Sequence, residues 1–164
     1  ININALQQIH ERYPGIVTMI SNPVNIARVC TYADVLVGAV LVPNQRTPII
    51  VSREMVQTMK PRSVIIDISI DEGGCVETSR PTNHDQPTFT EEGVIHYCVP
   101  NMSAVVARTS THAFINAAFT FIQEFADKGI EAAIADNPAI EKGINTHQGR
   151  IIHLSQFATI GKKE

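Results

Sequence analysis

Asp71 and Glu72 stand in front of a glycine pair, at the end of a run dominated by valine and isoleucine: Ser63-Val64-Ile65-Ile66-Asp67-Ile68-Ser69-Ile70-Asp71-Glu72-Gly73-Gly74. A carboxylate at the end of a buried strand can serve as acid, base or charge partner. Open parallel α/β sheets bind their ligands at the C-terminal ends of strands. Asp71 therefore has two readings, a chemical group in such a crevice or the cap of a turn. Asp67 lies inside the apolar run and reads as a hydrogen-bonded structural acid. Asn101 follows a second run, Gly93 to Val99, and precedes a long helical pattern; its amide suits a substrate or cofactor, and equally an N-cap. Ser21 has the same duality after the run Ile16 to Ile20. Arg80 in Ser79-Arg80-Pro81 reads as an anion ligand or as a packing residue.

Other chemistries find no support. Cys75, His84, His96 and Cys98 have no compact metal-ligand spacing, and His96, Cys98 and Val94 share one strand face. No G-x-S-x-G, Walker loop or G-x-G-x-x-G is present. Net charge is -3, and no basic cluster exceeds Lys162-Lys163, which argues against a nucleic-acid footprint. No apolar run approaches the roughly 18 residues of a membrane span. Cys30, Cys75 and Cys98 form no C-x-x-C and fit a reduced, cytoplasmic protein.

The elements that must position these residues follow from patterning. Helical spacing runs from Ile3 to Tyr13 and stops at Pro14-Gly15. Ile16 to Ile20 is a short β-type run, and Ser21-Asn22-Pro23 opens a helix over Val24 to Tyr32. Asp34 to Val42 is apolar enough for a strand buried on both faces. Ser52 caps a helix through Met59, and Ser63 to Ile70 is the next strand. Glu72 to Glu92, rich in proline, glycine and hydroxyls, reads as a long loop. Gly93 to Val99 is a strand, and Ser103 to Ala126 a long helix so apolar that much of it should be buried. Gly129 breaks that helix. Short helices over Ile130 to Ala135 and Pro138 to Lys142, a strand over Gly149 to His153 and a last helical turn over Leu154 to Ile160 complete the chain. Alternating helices and strands with short connections imply parallel βαβ units and a doubly wound α/β sheet. Three strand ends, Gly38 to Pro43, Ile68 to Gly74 and Val99 to Met102, then converge on one crevice. The small residues Gly38, Ala39, Gly73 and Gly74 would let a flat ligand lie against backbone there.

Several motifs resemble the alanine dehydrogenase and nicotinamide nucleotide transhydrogenase family: Gly38-Ala39-Val40-Leu41-Val42-Pro43; Met59-Lys60-Pro61; Ile70-Asp71-Glu72-Gly73-Gly74-Cys75 with Glu77-Thr78-Ser79-Arg80-Pro81-Thr82; His96-Tyr97-Cys98-Val99-Pro100-Asn101-Met102; Arg108-Thr109-Ser110-Thr111; and Asn137-Pro138-Ala139 with Lys142-Gly143. They occur in order over nearly the whole chain. The transhydrogenase subunit typically carries a Glu-Asn-Gly-Gly-Asn run at Asp71 to Cys75, so the dehydrogenase branch is favoured.

The resemblance implies a partial Rossmann-type sheet over residues 1–102, then a long C-terminal return helix and segment over 103–164 that packs on a substrate domain. It implies NAD as cofactor and reversible oxidative deamination of L-alanine to pyruvate and ammonia. Asp71 would be the catalytic acid beside nicotinamide and substrate, and Asn101 would lie in the substrate pocket. Ser21, Val40, Leu41, Ile68, Val99 and Met102 would line the NAD site. A homo-oligomer, often a hexamer, is expected. The family's glycine-rich loop, ribose-binding acid and substrate domain are expected upstream of Ile1, so the chain reads as the C-terminal part of a longer enzyme, inactive alone. Ala5 stands where some members carry a basic residue near the ribose. The alternatives are an NAD-binding subunit of a proton-translocating transhydrogenase and a non-catalytic nucleotide-binding or assembly module.

Overall fold

The computed structural model describes residues 3–43 and 45–153. The expected turn over Leu154 to Ile160 lies outside them. The chain divides into two compact units, Ile1–Leu41 with Thr47–Pro100, and Val42–Arg46 with Asn101–Glu164.

The first unit is an α/β sheet. Helix α1 spans Ile3–Arg12 and α2 spans Pro23–Cys30. Asn22 caps α2, its side chain accepting from the Asn25 backbone N–H at 2.8 Å, and Pro23 opens the first turn, where its missing N–H costs nothing. Strand β1 is Val35–Gly38 and β2 is Val64–Asp67, with α3 (Arg53–Gln57, capped by Ser52) between them. Strands β3 (Thr88–Glu91) and β4 (Val94–Tyr97) complete a sheet of order β1-β2-β4-β3. β1, β2 and β4 are parallel, in register Val35↔Val64 to Gly38↔Asp67 and Val64↔Ile95 to Ile66↔Tyr97. The α/β class with a parallel sheet and a long helix is therefore as expected.

Four elements differ. The run Ile16 to Ile20 pairs with no strand among the described residues, and Val17 is 86% exposed. β1 is an edge strand whose Val35 and Val37 face outward, so only its Leu36 and Gly38 side is covered, not both faces. The strand from Ser63 stops at Asp67 and continues as a 3₁₀ turn over Ile68–Glu72. The long loop conceals β3, which pairs antiparallel with β4. Glu92 and Gly93, with φ of 51° and 76°, form the two-residue hairpin turn between them. Positive φ at both turn positions matches the right-handed twist of the flanking strands.

The inward side of the sheet carries Leu36, Ile65 and His96 in one row and Gly38 and Asp67 in the row after it, with Val94 in the row before. Cys30, Val51, Val56, Met59, Ile65, Cys75, Val76 and Val94 form the core. The face begins on Val94, holds His96 among apolar neighbours in its middle row, and ends on the Asp67 carboxylate at the strand ends.

In the second unit a 3₁₀ turn, Met102–Val106, leads into the 22-residue helix α4, Ala107–Lys128. Gly129, at φ 77°, ends it. Helices α5 (Ile130–Asp136) and α6 (Pro138–Gly143, capped by Asn137) follow, then a small hairpin of β5 (Thr146–His147) and β6 (Arg150–Ile151). The expected strand over Gly149 to His153 is the second arm of that hairpin. No residue of α4 is buried, contrary to its apolar composition: Phe114, Phe119 and Ile122 are about half exposed or more. Composition registers a demand for burial without specifying the surface that meets it.

Candidate functional site at the parallel strand ends

Asp67 organises the end of β2. Its side chain is fully buried, and it accepts from three backbone N–H groups, those of Ser69 (3.1 Å), Cys75 (3.0 Å) and Val76 (3.2 Å). A buried carboxylate needs such donors to offset its lost hydration. It is the structural acid that its place inside the apolar run suggests. The donors fold the chain back on itself, so that the 3₁₀ turn Ile68–Glu72 sits over the strand end.

Within that turn Ser69 and Ile70 face inward, while Ile68, Asp71 and Glu72 are exposed. Gly73 ends the turn at φ 100°, and Gly74 follows at φ 79°, conformations that favour glycine. The small residues do not all open room for a ligand. A Cβ on Gly38 would lie 2.4 Å from the Cys75 sulfur, and one on Gly74 would lie 3.0 Å from Asp67 Oδ2. Their space is taken by the protein itself. Burial, followed by the Asp67 charge, pushes the Cys75 thiol up to about 11; Cys75 is a packing residue here, not a nucleophile.

Two predicted cofactor residues meet in one cavity of about 370 Å³, which Ser21 and Val40 line together with Asn25, Leu36, Gly38 and Ala39, among others. Its wall is mostly apolar, with few polar groups, the usual character of a site for a flat organic ligand. Leu41 is 72% exposed and Ile68 is 49% exposed. Val99 is buried. Asn101 and Met102 belong to the second unit. Asn101 adopts the left-handed conformation (φ 52°, ψ 53°), and its Oδ1 accepts from Ser103 Oγ at 2.9 Å. Its side chain makes no N-cap bond to the turn that follows. Asparagine tolerates this conformation better than other non-glycine residues.

Ser69 is a residue that the sequence did not single out. Its hydroxyl bonds both backbone groups of Val40, at 2.7 Å to N and 2.9 Å to O. The available signal was the Asp67-Ile68-Ser69 spacing, which allows the acid to accept from the N–H two residues on. Arg80 takes its packing role, its guanidinium 4.0 Å from the Phe89 ring centroid. Phe89 in turn stacks on His96 at 4.8 Å. His96 is buried among these groups, and among the described residues no three of His, Cys, Asp or Glu gather as a metal site. No helix among the described residues is long and apolar enough to cross a membrane.

Comparison with known proteins places the chain in context. Residues 1–154 match the profile described as "Alanine dehydrogenase/PNT, C-terminal domain". The alanine dehydrogenase of Bacillus subtilis is 46% identical over 163 residues, covering 98% of this chain and 43% of that protein. That of Halomonas elongata is 42% identical over 161 residues, with the same two coverages. A solved L-alanine dehydrogenase superposes with a TM-score of 0.82 at 40% identity, over 93% of this chain and 42% of that one. The transhydrogenase from Sinorhizobium meliloti superposes with a TM-score of 0.64 at 21% identity, over 89% of this chain and 40% of that one, a likeness of fold alone. The chain thus spans less than half the length of these relatives.

Proposed function

The chain belongs to the alanine dehydrogenase/PNT C-terminal domain family, and from that premise we propose that it forms the Rossmann-type, NAD-binding part of an alanine dehydrogenase. The reaction is the reversible oxidative deamination of L-alanine to pyruvate and ammonia. The observation that carries this reading is the identity to alanine dehydrogenases across 98% of the chain.

The strand ends fit the cofactor. Ser21 and Val40 share an apolar cavity, and β1, β2 and β4 are parallel neighbours whose C-terminal ends form one rim. NAD supplies the hydride acceptor when bound. The chain's own residues do the rest in this proposal. Val40, Leu41 and Ile68 present apolar surface that excludes water from the nicotinamide. Val99, which is buried, and Met102 are assigned to the cofactor by the family resemblance. Asp71, exposed on its turn, handles a proton as nitrogen is released from or added to the substrate carbon. Asn101 hydrogen-bonds the substrate. The free, buried thiols of Cys30, Cys75 and Cys98 suit a reducing, cytoplasmic setting. The exposed apolar residues of α4 support assembly into a homo-oligomer such as a hexamer.

The test is L-alanine-dependent reduction of NAD by the full-length protein. Turnover is expected there, and none from the 164-residue segment alone, which spans 43% of the relatives' length. A full-length protein that transfers hydride from NADH to an NADP analogue and leaves alanine untouched would overturn the reading.

A further inference from the structure

We infer that Ser69 is a positioning residue, a clamp that fixes the Val40 backbone against the turn bearing Asp71 and so sets the geometry of the cofactor crevice. The inference rests on the NAD-binding reading above and extends it to a buried residue that acts through the backbone of Val40.

The parallel ladder between β1 and β2 ends at Gly38↔Asp67. Beyond it the backbone of Ala39 and Val40 leaves the sheet, and polar backbone groups that leave a ladder need new partners. One hydroxyl supplies them for Val40. A serine hydroxyl can donate once and accept besides. Here the Val40 N–H donates to Ser69 Oγ at 2.7 Å, and Ser69 O–H donates to the Val40 carbonyl at 2.9 Å. Two bonds to both ends of one residue fix its position and its rotation together.

The clamp is anchored from below and closed from the side. Ser69 is 5% exposed, and its own N–H is held by Asp67 Oδ1 at 3.1 Å. The Thr47 hydroxyl, also buried, donates to the same Val40 carbonyl at 3.4 Å, and the Thr47 N–H donates to the Glu72 carbonyl at 2.9 Å. Val40 is therefore tied to both ends of the Ile68–Glu72 turn, through Ser69 near its start and through Thr47 at its end. Asp71 sits between those two anchors. A shift of Val40 relative to this turn moves a cavity wall against the proposed proton-handling group.

The experiment uses the full-length protein, with NADH affinity by fluorescence titration, alanine KM at saturating NAD, and thermal unfolding. Ser69→Ala is expected to weaken NADH by about three- to tenfold, the worth of a buried hydrogen bond, with alanine KM held within about twofold. Ser69→Thr, which keeps the hydroxyl, restores affinity. Thr47→Val removes the lesser donor, keeps the side-chain shape and is expected to weaken NADH by about two- to threefold; it decides the matter if Ser69→Ala does not fold. Wild-type NADH affinity in Ser69→Ala, or in Thr47→Val where the first variant is lost, overturns the clamp. So does a rise of alanine KM in step with the NADH effect, or a Ser69→Thr protein as weak as Ser69→Ala. Wild-type protein that binds no NADH refutes the cofactor reading and the clamp's role with it. Wild-type protein that binds NADH but does not oxidise alanine refutes the substrate assignment and leaves the clamp to be judged on the affinities.

Discussion

Gly38 and Cys75 occupy each other's space: a Cβ on Gly38 would lie 2.4 Å from the Cys75 sulfur and 3.3 Å from Asp67 Oδ1. Gly38→Ala is therefore expected to destabilise the fold by about 1–3 kcal/mol through overpacking. Cys75→Ala removes the obstructing sulfur yet keeps the backbone N–H that binds Asp67. The double variant should then be more stable than the two single effects predict, with a coupling of about 0.5–3 kcal/mol. Denaturant unfolding of the four proteins measures it, and strictly additive effects would show that the two sites do not share this space.

The two acids of the strand end should respond to amidation in opposite ways. Asp67→Asn places an NH₂ group among three backbone donors and is expected to lower stability by about 1–3 kcal/mol. Asp71→Asn, at an exposed position, should change stability by about 0.5 kcal/mol or less. Its alanine turnover should fall by about 10²- to 10⁴-fold. Thermal unfolding alongside initial rates of NADH formation separates the two. Unchanged turnover in Asp71→Asn would remove it from the chemistry.

Stability should also depend on pH through His96. The ring is buried, with Nδ1 3.0 Å from the Val94 carbonyl and Nε2 2.7 Å from Thr78 Oγ1. A carbonyl only accepts, so Nδ1 is assigned the proton and Nε2 accepts from the threonine. Burial lowers the pKa of His96 below its ordinary 6.5, against the opposing pull of the Val94 carbonyl. The unfolded chain then binds the proton more readily. The stability from neutral His96 is fully present above 6.5 and is lost as pH falls from there through the lower folded-state value. His96→Gln should flatten this part of the stability profile; an unaltered slope would assign it to other groups.

Helices with explicit caps were legible, since Asn22-Pro23, Ser52 and Asn137-Pro138 act through local chemistry and start helices where expected. The parallel core was legible from its valine and isoleucine runs. Strand β3 was not, because Thr88-Phe89-Thr90-Glu91 pairs only with β4 and lies in a stretch dominated by turn formers. The signal was Glu92-Gly93, whose paired positive φ values make a hairpin of the flanking residues. At the site, Asp67 could be read from its place within an apolar run. Ser69 could not, because its importance comes from Val40, which is near it only after β1 and β2 have paired.

The anchoring contacts at the strand end differ in the length of chain they close, and that difference orders their formation. Asp67 reaches Cys75 and Val76 across eight and nine residues, whereas Ser69 reaches Val40 across 29. The longer closure costs about 1 kcal/mol more in chain entropy. The turn around Asp67 is thus expected to assemble early, as a local nucleus, and β1 to dock onto it late. Stopped-flow kinetics should show Asp67→Asn acting mainly on the folding rate and Ser69→Ala mainly on the unfolding rate. The wall of the crevice that is fastened last on folding would be the first to loosen in the native protein, placing the give of the site in β1 rather than in the turn that carries Asp71.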